Sequence, residues 1–114
     1  MLFLLIIAHD EAFAPDEQLF ADIGAWIKEM DRQGVRRGGN PLRPAGDAVT
    51  VRLRDGATVC KPGPFSSAAE QMCAYELIEC VDAVRAIRIA AGHPMAARAT
   101  VEVRPVWGEI GQGA

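Results

Sequence analysis

The sequence predicts an α+β domain built on a ferredoxin-like split βαβ plan, with a β-hairpin inserted between its two halves. Three observations carry this. Leu2 to Ile7 is apolar at every position, the pattern of a strand central in its sheet. Two runs with helical apolar spacing each lie between strand-like runs, giving β-α-β twice. Between the two units, Asp55-Gly56 separates two short runs, the signal of a two-residue type I′ hairpin turn.

The first strand is too short to span a membrane. No basic residue precedes it and His9-Asp10-Glu11 follows it, so it reads as a core strand rather than a leader. A long helix comes next. Pro15 suits a first helical position, and Asp16 and Glu17 favour the positive end of the helix dipole. Leu19, Ile23, Trp26, Ile27 and Met30 form one stripe, and Gly34 suits the C-terminal cap. A short strand is expected over 35–38. Asn40-Pro41 and Pro44-Ala45-Gly46 read as turns.

Val49, Val51 and Leu53 alternate with Thr50, Arg52 and Arg54, a half-exposed strand that returns through 57–60. Lys61-Pro62-Gly63-Pro64-Phe65 is a stiff cassette. Two prolines fix φ and lack donors, and Gly63 between them suits a conformation other residues avoid. A strand over 71–80 follows. Asp82 is a good N-cap for the second helix. Val84, Ile87, Ala90 and Ala91 are expected to pack inward, and Gly92 with Pro94 ends the helix. The last strand, 100–106, puts Val101 and Val103 on one face and Glu102 and Arg104 on the other. Residues 1–107 read as one domain and 108–114 as a mobile tail. Two helices cover one face of such a sheet. A first strand dry on both faces then needs a second copy of the sheet, so a homodimer is expected.

The 114 residues are half hydrophobic, with a formal net charge of −3. Disorder is therefore disfavoured, and so is nucleic-acid binding, which calls for basic patches. Arg32, Arg36, Arg37 and Arg43, interrupted by glycines, read as a solvated helix end and loop. The three cysteines, Cys60, Cys73 and Cys80, contain no CxxC and suggest buried free thiols in a reducing cytoplasm. In one regular strand Cys73 and Cys80 would face opposite sides.

His9 is the candidate catalytic group. It stands where a buried strand meets polar chain, and histidine is the side chain that exchanges protons near neutral pH. Asp10 or Glu11 could orient it, Glu11 being its same-face neighbour if the strand continues, but a carboxylate from elsewhere in the chain is the expected partner. His93, after a helix end, reads as a cation at the negative end of a dipole. Glu76 is a carboxylate on an apolar face shared with Met72, Ala74, Ile78 and Cys80. It needs an arginine partner or a pocket to line, and Arg52, Arg54 and Arg104 are the cross-strand candidates. Phe65 is expected in the core or a cleft wall. Glu70, Gln71 and Tyr75 are candidate ligand contacts. No spacing requires a metal, and no phosphate loop, cofactor motif or serine-nucleophile motif is present.

One resemblance spans nearly the whole chain. Leu2–Ala8 ends in His9-Asp10-Glu11. Gly63-Pro64-Phe65, Glu70-Gln71, Tyr75 with Leu77-Ile78-Glu79, and Val101-Glu102-Val103-Arg104-Pro105-Val106 follow in order. In these pieces and their order the chain resembles the YCII-related domain family, in particular its DGPF branch. The resemblance implies a dimeric α+β-barrel fold with a cleft between sheet and loops. Some relatives are thought to be enzymes, from a His and an Asp in the cleft. Others accompany extracytoplasmic-function sigma factors. Pro62 stands where the branch has Asp, and Cys73-Ala74 replaces a glycine pair, so a narrower and more apolar pocket is expected. The leading expectation is a homodimer binding a small polar or aromatic metabolite, with His9 as its acid–base group. The alternatives are a non-enzymatic interaction module linked to a sigma-factor pathway and, behind it, a lyase- or isomerase-like enzyme.

Overall fold

A computed structural model describes residues 1–108 of the chain; the expected mobile tail lies almost wholly outside the described residues. The elements are β1 (Leu2–His9), α1 (Glu17–Arg32), β2 (Arg36–Pro41), β3 (Val49–Arg54), β4 (Ala57–Pro62), β5 (Gln71–Glu79), α2 (Ala83–Ala91) and β6 (Thr100–Pro105). Short 3₁₀ turns occupy Ala45–Asp47 and Pro94–Ala97. Four strands make one antiparallel sheet in the order β2-β5-β1-β6, and β3-β4 form a separate ribbon. This is the split βαβ plan with its inserted hairpin.

β1 alternates in burial. Phe3, Leu5 and Ile7 are sealed at 0–1% exposure against the helices, while Leu2, Leu4 and Ile6 are only half-buried. The uniform apolar run therefore meets a dry helix-covered face and an open face within one chain. On the covered face Phe3, Leu5 and Ile78 meet Trp26 and Met30 of α1 and Ala86, Ile89 and Ala90 of α2. A second cluster, Ile7, Leu19 and Met95, closes the end of the sheet where β1 finishes.

The helix ends follow their caps. Asp16 is the N-cap of α1, accepting from the Leu19 N–H at 2.8 Å. Pro15 thus precedes the cap rather than opening the helix. Gly34 terminates α1 at φ 71°, a left-handed conformation that glycine adopts without strain. Asp82 caps α2 through the Arg85 N–H at 2.9 Å. Of the residues expected inward on α2, Ala90 is buried, but Val84, Ile87 and Ala91 are exposed. The helix carries two apolar stripes. The one containing Ala86 and Ala90 won, because small side chains let the helix lie close on the sheet.

Two irregularities change which side chains share a face. Between Ile7 and Ala8 the register with β5 slips, pairing Ile7 with Ala74 and Ala8 with Met72. Cys73 is the extra residue of this bulge. It packs with Ala74 on the helix side while Met72 turns to the open face. Cys73 and Cys80 consequently both pack against the helix side rather than opposite faces, each only partly buried, and Cys60 is exposed. β2 also runs longer than expected: Asn40 and Pro41, read as a turn, pair with Tyr75 and Ala74. An edge strand tolerates that proline.

The hairpin turns at Asp55 (φ 51°) and Gly56 (φ 75°), both left-handed as a type I′ turn demands. The alternation of the β3 sequence is as expected, but its apolar side stays largely exposed among the described residues: Val49, Val51 and Leu53 are 62–65% exposed. No helix among the described residues is long and apolar enough to cross a membrane.

Candidate active site

β1 ends at the mouth of a cleft of about 350 Å³ bounded by α1, β5 and the Pro94–Ala97 turn. Its walls are largely apolar, including Ile7, Phe13, Leu19 and Ile23, and three polar side chains enter it: His9, Glu76 and His93. That is the size and character of a site for a single-ring molecule. A wider groove of about 930 Å³ adjoins it, also bordered by His9, with Asp10, Glu11 and Gln71.

His9 is held from two sides. Its Nδ1 lies 2.9 Å from the Asp10 carbonyl oxygen, and its ring stacks on Phe13 at 4.6 Å and 28°. A carbonyl only accepts, so Nδ1 carries a proton and the neutral ring keeps its lone pair on Nε2. The expected carboxylate neighbours do not orient it. The Asp10 carboxylate accepts from the Ala12 N–H at 3.0 Å instead, and Glu11 lies in a turn because β1 does not continue.

Glu76 is 4% exposed and accepts from Arg36 Nε at 2.7 Å. The same guanidinium donates to the Gly39 carbonyl at 3.0 Å and lies 3.6 Å from Asp31. Burial pushes the Glu76 carboxyl above its ordinary range, and Arg36 opposes that shift. A Cβ at residue 39 would overlap the Glu76 carboxylate and the Tyr75 carbonyl, so Gly39 makes the room for this pair. The partner is not one of the expected arginines. Arg52 and Arg54 lie out on the hairpin, and Arg104 pairs with Glu102. Arg36, expected in a solvated helix end and loop, is instead largely buried against Glu76. Its neighbours are paired too: Arg32 with Glu29, Arg37 with Glu79, Arg43 with Asp47.

His93 is the site residue that sequence reasoning placed wrongly. It is no surface cation; only 3% of it is exposed. Desolvation lowers its pKa to about 4, so it is neutral at physiological pH. Its Nδ1 accepts from the Met95 N–H at 3.0 Å, capping the Pro94–Ala97 turn, and its ring meets the Trp26 edge-on at 4.6 Å. The signal was present in His93-Pro94: a polar side chain before a proline at the start of a turn is a capping position.

The remaining candidates fall elsewhere. Phe65 is 84% exposed and borders a groove over the open face with Ile6, Ala8 and Thr100, not the core. The Glu70 carboxylate accepts from the Thr100 hydroxyl. Gln71 Nε2 donates to the Ser66 and Ala68 carbonyls at 2.8 and 2.9 Å, pinning the loop before β5. Tyr75 pairs with Ile6 on the open face, its hydroxyl 3.4 Å from Asn40 Nδ2. The cassette is rigid: Gly63 has φ 97°, its N–H donates to the Ala48 carbonyl at 2.6 Å, and its own carbonyl accepts from the Thr50 hydroxyl at 2.9 Å.

Sheet order, one-sided helices and a histidine-bearing cleft at the end of β1 define a small α+β protein of the split βαβ class. More specifically, residues 1–109 match the YCII-related domain, and the chain belongs to that family. Among solved structures it is similar to 5-chloro-2-hydroxyhydroquinone dehydrochlorinase (TftG) from Burkholderia phenoliruptrix AC1100, in complex with 2,5-dihydroxybenzoquinone. The TM-score is 0.53 at 14% identity, over 93% of each chain. That likeness carries the fold. No curated protein matches the sequence.

Proposed function

We propose that this protein is a homodimer of the DGPF branch, with Pro62 in place of that branch's Asp, working in the cytoplasm. It binds a small oxygenated ring compound in the cleft beside His9. One observation carries the reading. His9, fixed through Nδ1 and stacked on Phe13, leaves its Nε2 lone pair without a partner among the described residues, and the ring lines an apolar cleft of about 350 Å³. A phenolic or enolic hydroxyl donating to that nitrogen is the group it would hold and, in an enzymatic reading, deprotonate. The ring bound by the dehydrochlorinase is of the same chemical class. Glu76 lines the same cleft, and Gln71 is the residue paired with His9 across the sheet. Phe65, Glu70 and Tyr75, on the open face, would meet a ligand only through the dimer interface.

The dimer rests on the half-buried open face around Leu4 and Ile6. Light scattering at micromolar concentration should give twice the monomer mass; a monodisperse monomer rejects it. For the ligand, thermal shifts are measured across hydroxylated aromatics and small carboxylates. Some hydroxylated aromatic should raise Tm in the wild type. His9→Ala should abolish that shift while leaving the ligand-free Tm within about 2 °C, as for a half-exposed residue. The same shift in both proteins removes His9 from the site.

The exposed apolar side of β3 favours a second reading, an interaction module docking an extracytoplasmic-function sigma factor. Val51→Asp should then abolish that complex without touching ligand shifts.

A further inference from the structure

His93 is almost wholly enclosed, yet one of its ring nitrogens is neither satisfied nor sealed. Nδ1 accepts from the Met95 N–H. An N–H only donates, so Nδ1 is unprotonated and the proton of the neutral ring sits on Nε2. Nε2 has no hydrogen-bond partner among the described residues, and no buried side-chain nitrogen or oxygen lacks a partner. It follows that Nε2 lies at an opening. His93 lines the 350 Å³ cleft.

We propose that His93 is the specificity-determining hydrogen-bond donor of the cleft: its Nε2–H takes a carbonyl oxygen of the ligand while His9 Nε2 takes a hydroxyl. The two imidazoles are set in opposite tautomers by backbone groups, a carbonyl at His9 and an N–H at His93. One end of the site therefore accepts and the other donates. The ligand class that satisfies both is a small ring carrying a hydroxyl and a carbonyl, rather than a plain phenol, a plain aldehyde or a carboxylate. Burial that keeps His93 neutral also keeps it from attracting anions. The edge-on contact with Trp26 holds the donor's direction. Arg36 holds Glu76 through one oxygen, Oε2; Glu76 Oε1 has no partner among the described residues and is a further polar atom of the cleft beside the two histidines.

This inference rests on the ligand-binding reading above, and one titration series separates their failures. The probes are phenol, benzaldehyde and the three hydroxybenzaldehydes, titrated calorimetrically into the full chain. In the wild type the best hydroxybenzaldehyde should bind more tightly than phenol or benzaldehyde, about tenfold for the added hydrogen bond. His93→Asn keeps an oxygen where Nδ1 caps Met95 but has no donor at the Nε2 position. It should weaken the carbonyl-bearing probes about tenfold and leave phenol unchanged. His93→Gln restores a donor there and should recover most of that loss. Hydroxybenzaldehyde binding no tighter than phenol, or equal losses for phenol and the aldehydes in His93→Asn, overturns the donor role while the cleft stands. If no probe binds the wild type, both readings fall. Should the variants not fold, ¹H–¹⁵N long-range correlations on the wild type decide: His93 protonated at Nε2 and His9 at Nδ1 support the proposal, and any other pair of tautomers overturns it.

Discussion

The two faces of the four-stranded sheet share the same strands and differ in almost everything else. Beneath the helices, Phe3, Leu5, Ile7 and Ile78 are at most 1% exposed, and Glu76 and His93 are buried among them, each held by a specific partner. On the other face, Leu4 and Ile6 stay half-buried, Phe65 projects, and the ion pairs, such as Arg104 with Glu102, stand in water. Cost of desolvation explains the contrast. A polar group survives under the helices only if it is paired, so the few that remain are oriented and suited to recognising a ligand. Polar groups on the open face need no such placement, and its apolar centre stays partly exposed.

The largest test of that contrast is Arg36→Ala against Arg104→Ala. Removing Arg36 strands a buried carboxylate and should cost about 3–5 kcal/mol in urea unfolding; removing Arg104 should cost under about 1 kcal/mol. Equal costs would mean that the faces do not differ in effective burial.

Next comes pH. His93 titrates near 6.5 in an unfolded chain and near 4 when folded. Between these values the unfolded chain takes up a proton the folded one refuses. This contribution is therefore complete above pH 6.5 and lost as pH falls towards 4, about 3 kcal/mol in all. Glu76 works in the opposite sense. Its raised pKa means the folded state favours the protonated form, so its contribution is present at low pH and is lost as pH rises through its folded pKa. The difference between wild type and His93→Asn isolates the histidine: a stability gap that closes between pH 6.5 and 4 is expected, and a constant gap contradicts it.

The smallest effect belongs to the hairpin. Val51→Ser removes an exposed apolar group and should change stability by under about 0.5 kcal/mol, measured by urea denaturation. A larger loss would show that β3 is packed, not free.

Much of this was readable along the chain. Gly34, Asp82 and Asp55-Gly56 act where short-range chemistry puts them, because caps and turns are decided within a few residues; at α1 the start lies two residues later than Pro15 suggests, with Asp16 as the cap. The site was read less completely. His9 was legible as a polar residue ending an apolar strand. Glu76 was legible as a carboxylate needing a partner, but that partner comes from forty residues away, brought there by the pairing of β2 with β5, which the Arg-Arg-Gly-Gly-Asn-Pro composition of β2 does not specify. His93 was misplaced because a histidine following a helix looks the same in sequence whether the next turn exposes it or folds it under α1.

By itself the sequence determined the order of strands and helices, their caps, the hairpin turn and the family resemblance. Each of these rests on periodicity, local hydrogen bonding or residue order. Tertiary structure decided which of two apolar stripes on α2 was buried, where a bulge turned Cys73 inward and Met72 outward, and which arginine met Glu76. It also set the tautomers of the two histidines. Those outcomes depend on competition among distant surfaces for the same buried space and the same few hydrogen bonds, a comparison that no local stretch of chain contains.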